Sequence, residues 1–249
     1  MLMETEAGFI NLWSGNGGIM AKKKKIARKM LLNKPDEFIT LTSRLFALAI
    51  KYKTRLSYGL SVLIVLVIAV AGFSYFSNKA ETRAFDMLEQ GMQKYATIMK
   101  KDGHDKAYLA VEKDFQTILD KYSKKDAGKF TKVVYANICY NSGNFDRAIA
   151  LYNKALHDFK NNRSYENIIL SSLGYSYEGN KDYNSAIKYF EMIASGSDSI
   201  MKDEAFFNLG RIYAAMGENE KSLTAFKKII SDYTDSIYIR LVSERAAGS

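Results

Sequence analysis

The apolar positions Phe38, Leu41, Leu45, Leu48 and Tyr52 recur at spacings of three and four, with Arg44 and Lys51 elsewhere on the helical wheel. Asp36 and Glu37 come after Pro35 and suit a helix start, so the pattern predicts an amphipathic helix ahead of residue 56. The periodicity then disappears. Leu56 to Asn78 is 23 residues without a charge, and Val62 to Ala71 is wholly apolar. A helix of that length spans ~34 Å, enough to cross a hydrocarbon core of about 30 Å. A soluble core helix rarely lacks a polar face over such a stretch. Tyr52 and Tyr58 on one flank, with Phe73, Tyr75 and Phe76 on the other, suit interfacial aromatic belts. The expectation is a single transmembrane helix over 56–78. A juxtamembrane helix over 79–104 comes next, its stripe of Phe85, Leu88, Met92 and Tyr95 continuing the span or opening the next domain.

Beyond residue 105 the pattern repeats itself. Leu173-Gly174 with Tyr177 aligns with Leu209-Gly210 and Tyr213 at an offset of 36. Each is followed by a polar turn, Gly179-Asn180-Lys181 or Gly217-Glu218-Asn219, and then by a second amphipathic segment. An earlier unit has Tyr135-Ala136, Cys139, the turn Ser142-Gly143-Asn144, and then Ala148 with Tyr152. A weaker opening unit ends in Val111, Phe115, Ile118 and Leu119. The aromatics Phe115, Tyr152, Phe190 and Phe226 lie 37, 38 and 36 residues apart. Small residues Ala136, Gly174 and Gly210 on first helices, with Ala148, Ala186 and Ser222 on second helices, allow close helix approach while the aromatics fill the grooves. No such pair buries its apolar face alone, so the units must stack. Ile237, Tyr238, Leu241 and Val242 read as a short capping helix.

These units resemble tetratricopeptide repeats over about residues 105–236, departing from that family in lacking the terminal proline and in running slightly long. The fold class expected is all-α, a transmembrane helix followed by a tetratricopeptide-like solenoid over 105–249. The resemblance implies a concave face built by first helices as the place where protein partners bind. Carried over by position, that face comprises Phe130, Val133, Asn137 and Tyr140, then Ile168, Ser171, Tyr175 and Glu178, then Glu204, Phe207, Arg211 and Ala214. Tyr and Arg are residue types that dominate binding hot spots. The competing reading is that some of these aromatics pack only against the next unit.

Charge adds a direction. Of the net +9, residues 21–56 hold eleven Lys and Arg against Asp36 and Glu37, and residues 57–249 are nearly balanced. A near-neutral body with one cationic arm is not a nucleic-acid-binding surface. The bias instead places the segment 20–55 in the cytoplasm and everything beyond residue 78 on the far side. Ala69-Val70-Ala71 resembles a signal-cleavage site, but the preceding basic region is too long for a signal peptide. The cluster Lys22–Lys29 can hold anionic lipid headgroups, at ~1 kcal/mol per base. Residues 1–19 share no pattern with the rest of the chain and read as a leader, with Met20-Ala21-Lys22 a natural beginning.

Candidate chemistry is sparse. One cysteine, Cys139, forbids an intrachain disulfide, and with His104 and His157 it assembles no metal site. Asp102/Asp105 and Asp232/Asp235 lack a partner base or ligand cluster and read as solvated loop charge. Cys139 stands where other units have Tyr177 and Tyr213, so it reads as a packed thiol. No catalytic residue, metal or cofactor is predicted. A cytoplasmic basic stub, one span and an external repeat domain resemble the bacterial inner-membrane family of ancillary translocon subunits. That resemblance implies a periplasmic repeat domain beside the SecYEG channel, in contact with periplasmic chaperones. The function expected is a membrane-anchored protein-binding scaffold. The alternative is a self-associating structural module, a homo-oligomer formed through the repeats or the span.

Overall fold

The computed structural model describes residues 37–197 and 200–247. Every element among them is an α-helix: α1 (Glu37–Lys51), α2 (Lys53–Asp102), α3 (His104–Tyr122), α4 (Asp126–Asn141), α5 (Phe145–Phe159), α6 (Arg163–Gly179), α7 (Tyr183–Ala194), α8 (Lys202–Ala215), α9 (Asn219–Asp232) and α10 (Ile239–Ala247). The expected leader at 1–19, the start at Met20 and the basic cluster Lys22–Lys29 lie outside the described residues. The chain divides into two units, residues 1–69 and 70–249.

In the first unit, Leu41, Leu45 and Leu48 of α1 are exposed, as is every side chain from Leu56 to Ala69. Tyr52 is the single residue between α1 and α2, and backbone bonds from Tyr52 N to Leu48 O (2.9 Å) and from Leu56 N to Tyr52 O (2.8 Å) carry the helical pairing across it. Contiguous apolar surface of this extent is foreign to a water-facing monomer. Among the described residues α2 is the one helix long and apolar enough to cross a membrane, by length and composition.

In the second unit the last third of α2 is the first helix of the opening repeat. Ala84, Leu88 and Gly91 are buried there with Val111, Phe115 and Ile118 of α3. Thus 79–102 belongs both to the long helix and to the repeat core. The pairs α4/α5, α6/α7 and α8/α9 follow, each adjacent to the next, and α10 closes the array on α9. Phe115, Tyr152, Phe190 and Phe226, the four evenly spaced aromatics, are all at most 3% exposed. Burying each such ring contributes ~1.5–3 kcal/mol. In the cap, Val242 is fully buried with Phe226 and Ile229, whereas Ile237, expected in the same stripe, is 86% exposed because it lies ahead of α10.

The three turns inside the later repeats share one geometry. In α4/α5 it is Ser142 N to Ile138 O, Gly143 N to Tyr140 O and Asn144 N to Cys139 O. The same three bonds recur at Asn180–Asp182 and at Met216–Glu218. The left-handed residue is Gly143 (φ 72°), Lys181 (φ 63°) and Gly217 (φ 79°) in turn. The middle turn therefore places its bend on Lys181 and not on Gly179, which belongs to α6. A Cβ at Gly179 would stand 2.5 Å from the Phe145 ring, so that glycine serves the contact between repeats.

Candidate functional site

Five of the twelve residues carried over from the repeat pattern join in one polar ladder between α6 and α8. The Ser171 hydroxyl donates to Glu204 Oε1 at 3.0 Å, and the Tyr175 hydroxyl donates to the same oxygen at 2.9 Å. Arg211 clamps Glu178 through both guanidinium nitrogens, with Nη2 to Oε2 at 2.6 Å. The sixth member is Asn208, which the repeat pattern did not single out. Its Nδ2 donates to the Tyr175 hydroxyl at 2.8 Å and its Oδ1 accepts from Arg211 Nη2 at 3.0 Å. It lies one helical turn from Glu204 and three residues from Arg211, so the i, i+4 rule applied to the predicted positions would have found it. Ser171 and Asn208 are buried; Tyr175, Glu178, Glu204 and Arg211 are half-buried.

Charge and burial explain why this ladder holds its shape. Burial pushes the Tyr175 hydroxyl well above the ordinary phenol range, against the bond from Asn208, so it stays a neutral donor. Donating to the Glu178 carboxylate raises the Arg211 guanidinium further. Bidentate, partly desolvated pairs of this kind fix orientation as well as charge. The ladder joins the first helices of two successive repeats.

The remaining carried-over residues divide into two sets. Phe130 packs on Phe159 (ring centroids 5.3 Å) and Tyr165 (5.6 Å), Tyr140 on Phe145 (5.6 Å), and Phe207 stacks on Tyr238 at 4.3 Å. These three rings are half-buried and already engaged by neighbouring elements. Val133 is half-buried against the α3–α6 core. Asn137, Ile168 and Ala214 are exposed. Asn137 Oδ1 accepts the Tyr152 hydroxyl, which leaves its Nδ2 without a partner among the described residues. The face thus offers an amide donor, an apolar contact at Ile168 and the rim of the Glu178–Arg211 pair. Such a surface suits recognition of a polypeptide.

A second concavity has no counterpart in the sequence pattern. A groove of about 930 Å³ lies between α7, α8 and α9, floored by Met192, Phe206, Leu209 and Ala225 and edged by Lys188, Lys221 and Lys228. Met192 on that floor is 44% exposed.

Burial pushes the Cys139 thiol up to about 12, opposed by Arg147, and the side chain is wholly inaccessible. His104 Nδ1 pairs with the Tyr95 hydroxyl at 2.6 Å. No three His, Cys, Asp or Glu side chains gather as metal ligands among the described residues.

No curated protein matches the chain. A sequence model for the tetratricopeptide repeat-like domain matches residues 51–243, which covers α2 from its apolar start, every repeat helix and the beginning of α10. With four stacked helix pairs, buried aromatics at repeat spacing and the match over most of its length, the chain belongs to the tetratricopeptide repeat-like domain family.

Proposed function

We propose that this chain is a membrane-anchored scaffold that binds a segment of a partner protein on the face formed by α4, α6 and α8. The observation that supports this reading is the family match over 51–243, a stretch that includes both the apolar run and the repeats. Repeat solenoids act through extended binding surfaces rather than through catalytic residues. An anchor beside such a surface raises the effective concentration of any partner at the membrane.

In this reading α2 spans the bacterial inner membrane from about residue 56 to 78, the basic segment stays cytoplasmic with Lys22–Lys29 on anionic headgroups, and the repeats face the periplasm. The layout resembles ancillary translocon subunits, so the partner class is the SecYEG machinery and the periplasmic chaperones that meet secreted chains. Asn137, Ile168 and Ala214 are the contact positions, with the ladder residues Tyr175, Glu178, Glu204 and Arg211 holding the surface in shape.

Photo-crosslinking residues placed singly at Asn137, Ile168 and Ala214 in cells test this. The expected outcome is one shared protein adduct from these sites and none from Lys188 on α7. No discrete adduct, or an equal yield from Lys188, would refute the binding face. Protease digestion of a tagged C-terminus in spheroplasts, with protection in intact cells, is the expected topology; digestion only after lysis would place the repeats in the cytoplasm.

A further inference from the structure

Where the apolar stretch of α2 ends, a second element of the repeat domain is bonded to it. The connection between α3 and α4, Ser123–Lys125, lies against Ser77: Lys125 Nζ donates to Ser77 O at 3.1 Å and to Ser77 Oγ. One turn further along, Glu81 Oε1 accepts the Ala127 amide at 2.7 Å and Oε2 the Asp126 amide at 3.4 Å, so a carboxylate from α2 caps the start of α4. These bonds fix the loop's height along α2. Ser77 comes directly after Phe73, Tyr75 and Phe76, whose rings are 64–77% exposed. Twenty residues from Leu56 reach Tyr75, about 30 Å of helix and one hydrocarbon thickness. The loop therefore stands at the level where acyl chains give way to headgroups.

The loop is basic. Lys121, Lys124 and Lys125 fall within five residues, and Lys79 lies two residues past Ser77. Lys79, Lys121 and Lys124 are exposed and have no ion-pair partner among the described residues. The neighbouring acids are engaged elsewhere: Glu81 on the α4 amides, Asp126 on Lys129 at 2.7 Å, and Asp120 on Gln116 Nε2 at 2.8 Å. We infer that Lys79, Lys121 and Lys124 form a docking surface for anionic lipid headgroups in the leaflet at the C-terminal end of the span. This rests on the membrane-spanning reading of α2. The occupant is assigned from charge complementarity and from the height of the loop beside an exposed aromatic belt.

The test uses the full chain in nanodiscs with a fluorophore on Ser123→Cys; the buried Cys139 does not compete for label. Quenching by a headgroup-nitroxide anionic lipid is compared with quenching by its zwitterionic counterpart at equal mole fraction. The expected ratio is about fivefold in favour of the anionic lipid. It should fall to about one in Lys121→Glu/Lys124→Glu and in about 0.5 M salt, where screening is nearly complete. A probe on Ser231→Cys should show no preference. Equal quenching by both lipids at position 123, a preference untouched by charge reversal, or no headgroup quenching there would overturn the inference. A separate probe on Val65→Cys reports the span: quenching by acyl-chain bromines keeps the spanning reading whatever happens at 123, and its absence overturns that reading first.

Discussion

Gly174 on α6 faces the ring of Phe190 on α7, and a Cβ built there would lie 2.6 Å from both Cε2 and Cζ of that ring. Ordinary carbon contacts need about 3.5–4 Å, so Gly174→Ala forces the ring to retreat by roughly 1 Å. Phe190 has no room to do so: it is fully buried, and the Tyr175 ring stands edge-on to it at 5.3 Å. Two effects oppose each other. Alanine gains ~1 kcal/mol of helix propensity over glycine, while overpacking a filled core costs ~1–3 kcal/mol. The net expectation is a loss of ~0–2 kcal/mol, a fall in Tm of up to about 8 °C for a unit of this size. The assay is thermal unfolding of the full chain in detergent followed by circular dichroism, with Phe190→Leu and the double variant completing a cycle. The smaller side chain should make room for the new methyl, so the double variant is more stable than the two single losses predict, by about 1 kcal/mol or more. Gly91→Ala provides the calibration, because its Cβ would meet Phe115 Cε2 at 3.1 Å and needs only a slight adjustment; it should be near neutral. If Gly174→Ala raises Tm, or its cost adds independently to that of Phe190→Leu, the close-approach argument is wrong.

Lys181→Gly should stabilise the chain by about 1 kcal/mol, since Lys181 holds the left-handed position that Gly143 and Gly217 fill in the sister turns; unfolding midpoints check this. Asp182 caps α7 by accepting the Ser185 amide at 3.1 Å, and bonds from the Ser185 side chain and backbone hold its carboxyl below the usual range. The folded value being depressed, that stabilisation is present above the unfolded carboxyl pKa of about 3.9 and is lost as pH falls through the folded value. Asp182→Asn should therefore trail the parent at pH 7 and converge with it in acid, as read from urea midpoints across pH. Lys132, 9% exposed, is bonded to Asp158 and to Ser123 O at 3.0 Å. Asp158→Ala leaves that ammonium without its counter-charge and should cost ~2–4 kcal/mol, whereas Lys132→Met/Asp158→Leu should recover most of the loss in the same unfolding assay.

The repeat core was readable because its determinants are local and periodic. Phe115, Tyr152, Phe190 and Phe226 mark the same slot in successive units, and each is buried. A 36–38-residue period survives any uncertainty in helix boundaries. The sequence left open whether the stripe after residue 79 continues the apolar helix or opens the repeats, and α2 does both. The charges Lys79, Glu81 and Arg83 end the uncharged run, but no proline or glycine pair separates it from Phe85, Leu88, Met92 and Tyr95, so no helix break marks the passage from apolar helix to repeat helix. Burial marks it instead: Ala84, Leu88 and Gly91 are covered, whereas Phe85 and Met92 remain exposed. The turn at Lys181 was hidden for a different reason. Glycine usually signals a left-handed bend, and Gly179 stood two residues away, but there the missing Cβ serves the Phe145 ring.

For the candidate face, the sequence named positions without saying what each side chain bonds. Family register assigns a residue to a helix face, yet it does not say whether the next repeat consumes the side chain. Tyr175 and Arg211, the residue types most associated with hot spots, spend their donors on Glu204 and Glu178. Asn137, Ile168 and Ala214, plainer choices, are the ones left exposed. Pairing across the ladder depends on an interhelix offset of 33 residues, Tyr175 to Asn208 and Glu178 to Arg211, which is three short of the sequence repeat of 36. That difference is one helical turn: neighbouring first helices meet with side chains displaced by about 5 Å relative to their aligned positions. A face read from the aligned register alone therefore pairs Tyr175 with Arg211, whereas the stacked helices pair Tyr175 with Asn208 and bring Arg211 to Glu178. Mutations meant to probe partner binding should then start at Asn137 and Ile168, because changes at Tyr175 or Arg211 disturb the joint between two repeats before they touch anything bound to it.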